Sequence, residues 1–378
     1  MIFDRMTGAV LRRVSLAAAL TLSIVATATA ASPTDADQNL VFIDNDFSGP
    51  GETNIESLYP ALSDPHARLL GVGAVTGDAW RDEGAAHLLA FLKQVGCPSL
   101  PLYLGAEMPL VRTANEMYAW EAQYGRIIWK GAWQPASPRH PTGHPDQPSL
   151  IPAMPEGFTP TLPHGESAAH AMIDAVHRYP HQVTIVAGGP LTDVALAIKL
   201  DSEFAGLAKQ LVFMGGLLDT DHPQIAVEKT HEIDFYTDFN MIFDPEAAHI
   251  VLTAPWRSIT NMGNVTLGVL LKTELREQAK GKKAPLAAYF ARYAQPGIPM
   301  WDELTTAVAL HPELVTSSVD ATMDVEIARG MFYGRAHARP LSLSLKGAPV
   351  VHIVTAVDAA KFYQIFAEGF DGSARCSQ

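Results

Sequence analysis

Two aspartates leave an apolar run and enter a turn at once in Val41-Phe42-Ile43-Asp44-Asn45-Asp46-Phe47-Ser48-Gly49-Pro50-Gly51-Glu52-Thr53-Asn54. Carboxylates placed this close repel each other, and a hard divalent cation held by oxygen ligands relieves the repulsion. Side chains alternate along a strand, so Asp44 and Asp46 are expected on one face, converging on a single ion. Aspartates also cap helices and start turns, and the spacing alone leaves both readings open. Other polar or small residues follow apolar runs in the same way. Thr76-Gly77-Asp78 ends the run from Leu69 to Val75, Gly188-Gly189-Pro190 ends Val183 to Ala187, and Gly215-Gly216 ends Leu211 to Met214.

The elements that must position these residues are short β-branched runs alternating with longer helical patterns, and a further run spans Val350 to Thr355. Such alternation predicts an α/β fold, an open, mostly parallel Rossmann-like sheet flanked by helices. The polar breaks then gather at the carboxyl edge of the sheet, where open α/β sheets bind ligands. Residues 40–372 are read as a single large domain, with an insertion at about 112–164 that is rich in Trp, Tyr, Pro and Gly. A structureless stretch of that length either covers a site, mediates assembly or is a surface excursion.

Residues 1–30 carry Arg5, Arg12 and Arg13, an apolar stretch from Val14 to Val25, and Ala28-Thr29-Ala30 before Ala31-Ser32. That pattern predicts a secretory signal peptide followed by a linker at 31–39, an exported protein in the periplasm or medium, and no membrane association after cleavage. Those thirty residues hold three arginines and one aspartate, so the net charge falls from −13 for the whole chain to −15 beyond them. A surface this acidic repels phosphate backbones, which argues against nucleic acid as a partner. Cys97 and Cys376 are the only cysteines. They provide neither a disulfide framework nor a cysteine zinc motif, and they are either joined or free.

Several motifs taken together go further. Gly71-Val72-Gly73-Ala74-Val75-Thr76-Gly77-Asp78, Leu102-Tyr103-Leu104-Gly105-Ala106, the run VTIVAGGPLTDVALA at 183–197, Met214-Gly215-Gly216, Asp238-Phe239-Asn240 with Asp244-Pro245-Glu246-Ala247-Ala248, and Met300-Trp301-Asp302-Glu303-Leu304 stand in order along the chain. With the aspartate cluster, they make the chain similar to the inosine/uridine-preferring nucleoside hydrolase family, as a divergent, exported member, from about Val41 to Ala359. Asp44-Asn45-Asp46 matches the start of the family's Asp-x-Asp-Pro-Gly-x-Asp-Asp motif. Glu52-Thr53-Asn54 stands, after a longer turn, where the family has paired aspartates.

The resemblance implies hydrolysis of the N-glycosidic bond of ribonucleosides by a calcium-activated water, in a family commonly found as homo-oligomers. It implies Asp44, Asp46, Asn54 and Asp302 as Ca²⁺ ligands, with a backbone carbonyl near Val212 or Phe213. Asp46 is the implied base, and Asp78, Asp238, Asn240 and Trp301 are implied substrate contacts. Trp301 stands where relatives carry a histidine that protonates the departing base. An indole stacks on a base but does not deliver that proton, so a loop histidine such as His140, His144 or His164 is the expected alternative. Two other functions fit the same residues: a catalytically silent nucleoside-binding protein, or a hydrolase of another ribosyl compound.

Overall fold

Leu40, Val41, Phe42 and Ile43 alternate across a strand, sending Val41 and Ile43 into one apolar cluster and Leu40 and Phe42 into another. A strand buried on both faces reads as a continuous apolar run and belongs at the centre of a helix-covered sheet. The structure is a computed structural model that describes residues 38–125, 127, 129–136, 143–159, 163–218 and 238–376. The expected signal peptide, most of the linker and His140 lie outside the described residues.

Ten strands form one sheet: β1 (Asn39–Asn45), β2 (Ala67–Ala74), β3 (Leu102–Leu104), β4 (His164–Ser167), β5 (Val183–Ala187), β6 (Gln210–Phe213), β7 (Ile259–Asn261), β8 (Val315–Val325), β9 (Ala336–Pro340) and β10 (Val351–Val357). Their order is β4-β3-β2-β1-β5-β6-β7-β10-β8-β9. From β4 to β10 every pairing is parallel, and β8 and β9 add an antiparallel edge. The fold is therefore the expected single-domain α/β sheet with helices on both faces. β1 pairs with β2 on one side and β5 on the other, which makes β1 the point where strand order reverses and a crevice opens.

The expected insertion is not structureless. Thr113 and Glu116 form a capping box that starts a helix at Ala114–Tyr124, and a short 3-10 turn covers Gly131–Trp133. Met117, Ile127, Ala132 and Trp133 bury themselves against Trp80, Ile242 and Phe243 in a small cluster of their own. Buried His144 pairs with Glu83 at 2.8 Å, and His87 pairs with Glu156. Both pairs fasten the segment to the helix Arg81–Gln94.

Asp244 does begin a helix, as Asp-Pro predicts. It is fully buried, and its carboxylate accepts from the N–H of Leu110 (2.8 Å) and Ala247 (3.1 Å) and from Thr192 Oγ1 (2.8 Å). Asp244→Ala is expected to cost about 3 kcal/mol of stability, one unit per lost bond, read as a lower urea midpoint. A change under about 1 kcal/mol would show that water replaces those bonds.

Cys97 and Cys376 are joined in a disulfide across 279 residues of sequence, which settles the alternative left open by their count. Cys376→Ser should destabilise the folded chain by about 2–4 kcal/mol, because a long loop is freed in the unfolded state. An unchanged melting temperature would count against that contribution.

Candidate active site

The carboxyl ends of β1, β2, β5 and β6 open into a pocket of about 350 Å³. Asp46, Asn54, Asp78, Asp238, Asn240, Trp301 and Asp302 all line it. Seven of the eight residues singled out from sequence thus meet in one cavity, although they span more than 250 positions.

The eighth, Asp44, does not join them. β1 ends at Asn45, so Asp46 has already left the pleat and the two aspartates no longer share a face. Asp44 turns toward Gly73 and Asp193, where burial, then the Asp193 carboxylate, pushes its pKa well above the usual carboxylate range. Asn45 turns toward Asp302, itself a pocket residue. Its Nδ2 donates to Asp302 Oδ2 at 3.1 Å and to Ser57 Oγ at 3.3 Å.

Asp46 sits on a turn made for it. A Cβ on Gly77 would fall 2.1 Å from Asp46 Oδ2, so only glycine lets the carboxylate approach this backbone. The N–H of Asp78 then donates to Asp46 Oδ2 at 2.8 Å, and Asn54 Nδ2 donates to Oδ1 at 3.0 Å. Asn54 Nδ2 also reaches Asp78 Oδ2 at 3.3 Å, while its amide oxygen accepts from Ser48 Oγ. Asn54 therefore shows its nitrogen to the carboxylates, where sequence suggested its oxygen.

Burial is the largest cause that raises Asp46 well above the ordinary range, followed by the charges of Asp78 and Asp302. Asp302 is raised as well, first by burial and against the Asn45 hydrogen bond. Burial lifts Asp78 to about 7 despite the bonds from Trp129 and Asn54 that hold it down. Carboxylates pushed upward together in a cleft mark a functional site.

Thr53 ties the two acidic walls together. Its hydroxyl donates to Glu303 Oε2 at 2.5 Å and accepts from the Asp302 N–H at 3.2 Å. On the opposite wall, Asp238 caps the short helix Phe239–Phe243 through the Met241 N–H and lines the pocket. Asn240 Nδ2 is bound to the carbonyls of Gly188 (2.6 Å) and Met214 (3.3 Å), which leaves its Oδ1 as the acceptor for a ligand.

Neither Val212 nor Phe213, where a ligating carbonyl was expected, lines the pocket. Phe213 O accepts from Met262 N inside the sheet, and Met214 lines the pocket instead. Neither described histidine candidate reaches the cavity. His144 is held between Glu83 and the Gln147 carbonyl, and His164 lies in a tilted contact with the Tyr103 ring at the sheet edge.

Sequence reasoning missed Trp129, Phe239, Gln295 and Ile298 as lining residues. Trp129 belongs to the inserted segment and its indole N–H donates to Asp78 Oδ1. The density of tryptophan in that stretch was its only signal. Gln295 and Ile298 carried none.

A doubly covered parallel sheet whose switch-point crevice gathers acidic and amide side chains defines an α/β protein with an acidic pocket at the carboxyl edge of its sheet. The chain belongs to the inosine-uridine preferring nucleoside hydrolase family, whose model matches residues 41–364. By that membership it is an N-ribohydrolase. An uncharacterised protein of Schizosaccharomyces pombe is 32% identical over 345 residues, covering 86% of this chain and 83% of that protein. A probable uridine nucleosidase 2 of Arabidopsis thaliana is 24% identical, covering 85% and 94%. A pyrimidine-specific ribonucleoside hydrolase of Enterobacter is 25% identical, covering 84% and 94%. Among solved structures, a purine-preferring ribonucleoside hydrolase from Gardnerella vaginalis superposes with a TM-score of 0.65 at 22% identity, covering 88% of this chain and 98% of that one. An inosine-guanosine nucleoside hydrolase gives 0.67 at 18%, with the same coverage. Both share the fold.

Proposed function

We propose that the chain cleaves the N-glycosidic bond of ribonucleosides, with Asp46 as the base that takes a proton from the attacking water. The observation that carries this is Asp46 itself. It is a buried carboxyl group lining the pocket, raised in pKa first by burial and then by the charges of Asp78 and Asp302, in one cavity with Asp238 and Asn240. Breaking the C1′–N bond builds positive charge on the sugar. Asp46, Asp78 and Asp302 stabilise that charge more than the neutral ground state. Asp238 and the free Oδ1 of Asn240 orient the ribose hydroxyls, and Trp301 offers a flat apolar face for the base.

The residues fit a hard divalent cation, and we assign calcium. Every ionisable side chain lining the pocket among the described residues is acidic, and the available donors are oxygens rather than thiolates or imidazoles. Asp46, Asp302 and the amide oxygen of Asn54 would hold it, helped by the Met214 carbonyl. No three acidic, histidine or cysteine side chains among the described residues already stand at metal distance, and Asn54 now presents its nitrogen. A bound ion supplies positive charge that favours loss of a proton from nearby water.

The deciding experiment is ribose release by the purified protein from inosine, uridine and guanosine in calcium buffer. Release from at least one supports the reading, and none from any of them sinks it. Two expectations carried by residues 1–30 and by resemblance remain part of the proposal. Export is checked by finding the mature protein in the periplasm or medium, and self-association by light scattering.

A further inference from the structure

Asp46, Glu52, Asp78, Asp238 and Asp302 face one cavity, and a single divalent ion that returned them to the ionised state would leave negative charge in excess. The basic side chain nearest in sequence, Lys130, is committed elsewhere. Its ammonium is held by Glu121 at 3.1 Å and by the Ile127 carbonyl at 2.7 Å. The remaining surface of the cavity is largely apolar, with the rings of Trp129, Phe239 and Trp301 half-buried around it.

Trp129 is held there firmly. Its N–H is bound to Asp78, and Ala132 N donates to the Gly77 carbonyl at 2.7 Å. Gly131 lies between them with φ +53, and a Cβ on it would strike Gly77 O at 2.1 Å and Phe239 Cζ at 2.4 Å. The inserted segment is therefore pressed onto both the acidic turn and a neighbouring ring.

This surrounding has a consequence for the leaving group. A neutral base departs with the bond pair and becomes an anion, which carboxylates repel. The Trp129 N–H is already spent on Asp78 and does not offset that charge. A cationic base departs neutral, and before departure aromatic faces and carboxylates attract it. We propose that the pocket selects ribosides whose heteroaromatic base is positively charged, a pyridinium or N7-alkylated purinium, with Trp129 and Asp78 as the recognising face. Water adds through its oxygen to C1′, its proton passes to Asp46, and the C1′–N pair returns to the ring nitrogen. Cationic riboside and water thus give ribose, neutral base and one proton.

The inference rests on the hydrolase reading, and a matched pair separates the two. kcat/KM is measured for 7-methylguanosine and guanosine in mildly acidic calcium buffer, each divided by its uncatalysed rate constant, with nicotinamide riboside as a second cation. The normalised value should favour the cations at least about tenfold. Trp129→Leu should raise KM for the cations about tenfold and for guanosine less than about twofold, while Trp129→Phe, which keeps a ring, should lie between. Guanosine equal to or better than 7-methylguanosine after normalisation overturns the proposal and leaves the hydrolase intact. So does a Trp129→Leu effect equal on both. No cleavage of any riboside overturns both.

Discussion

Asp46→Asn should lower kcat for nucleoside cleavage by about 10²–10⁴-fold, the usual contribution of a positioned base. KM should stay near wild type, and so should the melting temperature when both proteins are compared free of divalent ions. The amide has the carboxylate's shape: its oxygen accepts the Asp78 N–H now bonded to Asp46 Oδ2, and its nitrogen takes the place of Oδ1, so Asn54 must turn its own amide oxygen toward it. Removing a buried charge that Asp78 and Asp302 repel should leave stability equal or slightly higher. Turnover within a few-fold of wild type would remove Asp46 from the reaction. A melt lowered by many degrees would instead place it among the residues that hold the fold.

Chelation has the second largest expected effect. Exhaustive removal of divalent ions should abolish turnover and lower the melting temperature, and added calcium should restore both. An ion at a hundred times its dissociation constant contributes about 2.7 kcal/mol to the folded state. Here the gain comes from relieving repulsion among Asp46, Asp78 and Asp302, so the destabilised apoprotein should recover part of it in acid, where those groups are protonated. A fully active chelated enzyme would show that Asn54, donating to Asp46 and Asp78, already does what the ion was assigned to do.

Much of this arrangement was legible because its signals are local. β5 coincides with the apolar run Val183–Ala187, and the ends of β1, β2 and β6 lie within a few residues of the polar breaks that predicted them. Other features depend on where a strand stops. Whether Asp44 accompanies Asp46 turns on a single residue of β1, and Met214 rather than Phe213 lines the pocket because β6 ends at Phe213. β7 is three residues long and β8 alternates polar residues on an exposed face, so neither forms an apolar run to be read. Trp129 illustrates a third limit. Its chain neighbours say it is in a loop, and only the contacts of Ala132 and Gly131 across to Gly77 bring it into the pocket.

The two histidine–carboxylate pairs that fasten the inserted segment to the helix Arg81–Gln94 divide the enzyme's inheritance in two. Attack on the sugar is written into strand ends that cannot shift without unmaking the sheet. One wall of the pocket hangs from a side branch, moored to that helix, to the turn at Gly77 and to Ile242 and Phe243. A change on that branch, at Trp129 for instance, would reshape the wall of the cavity while leaving the strands of the sheet in place.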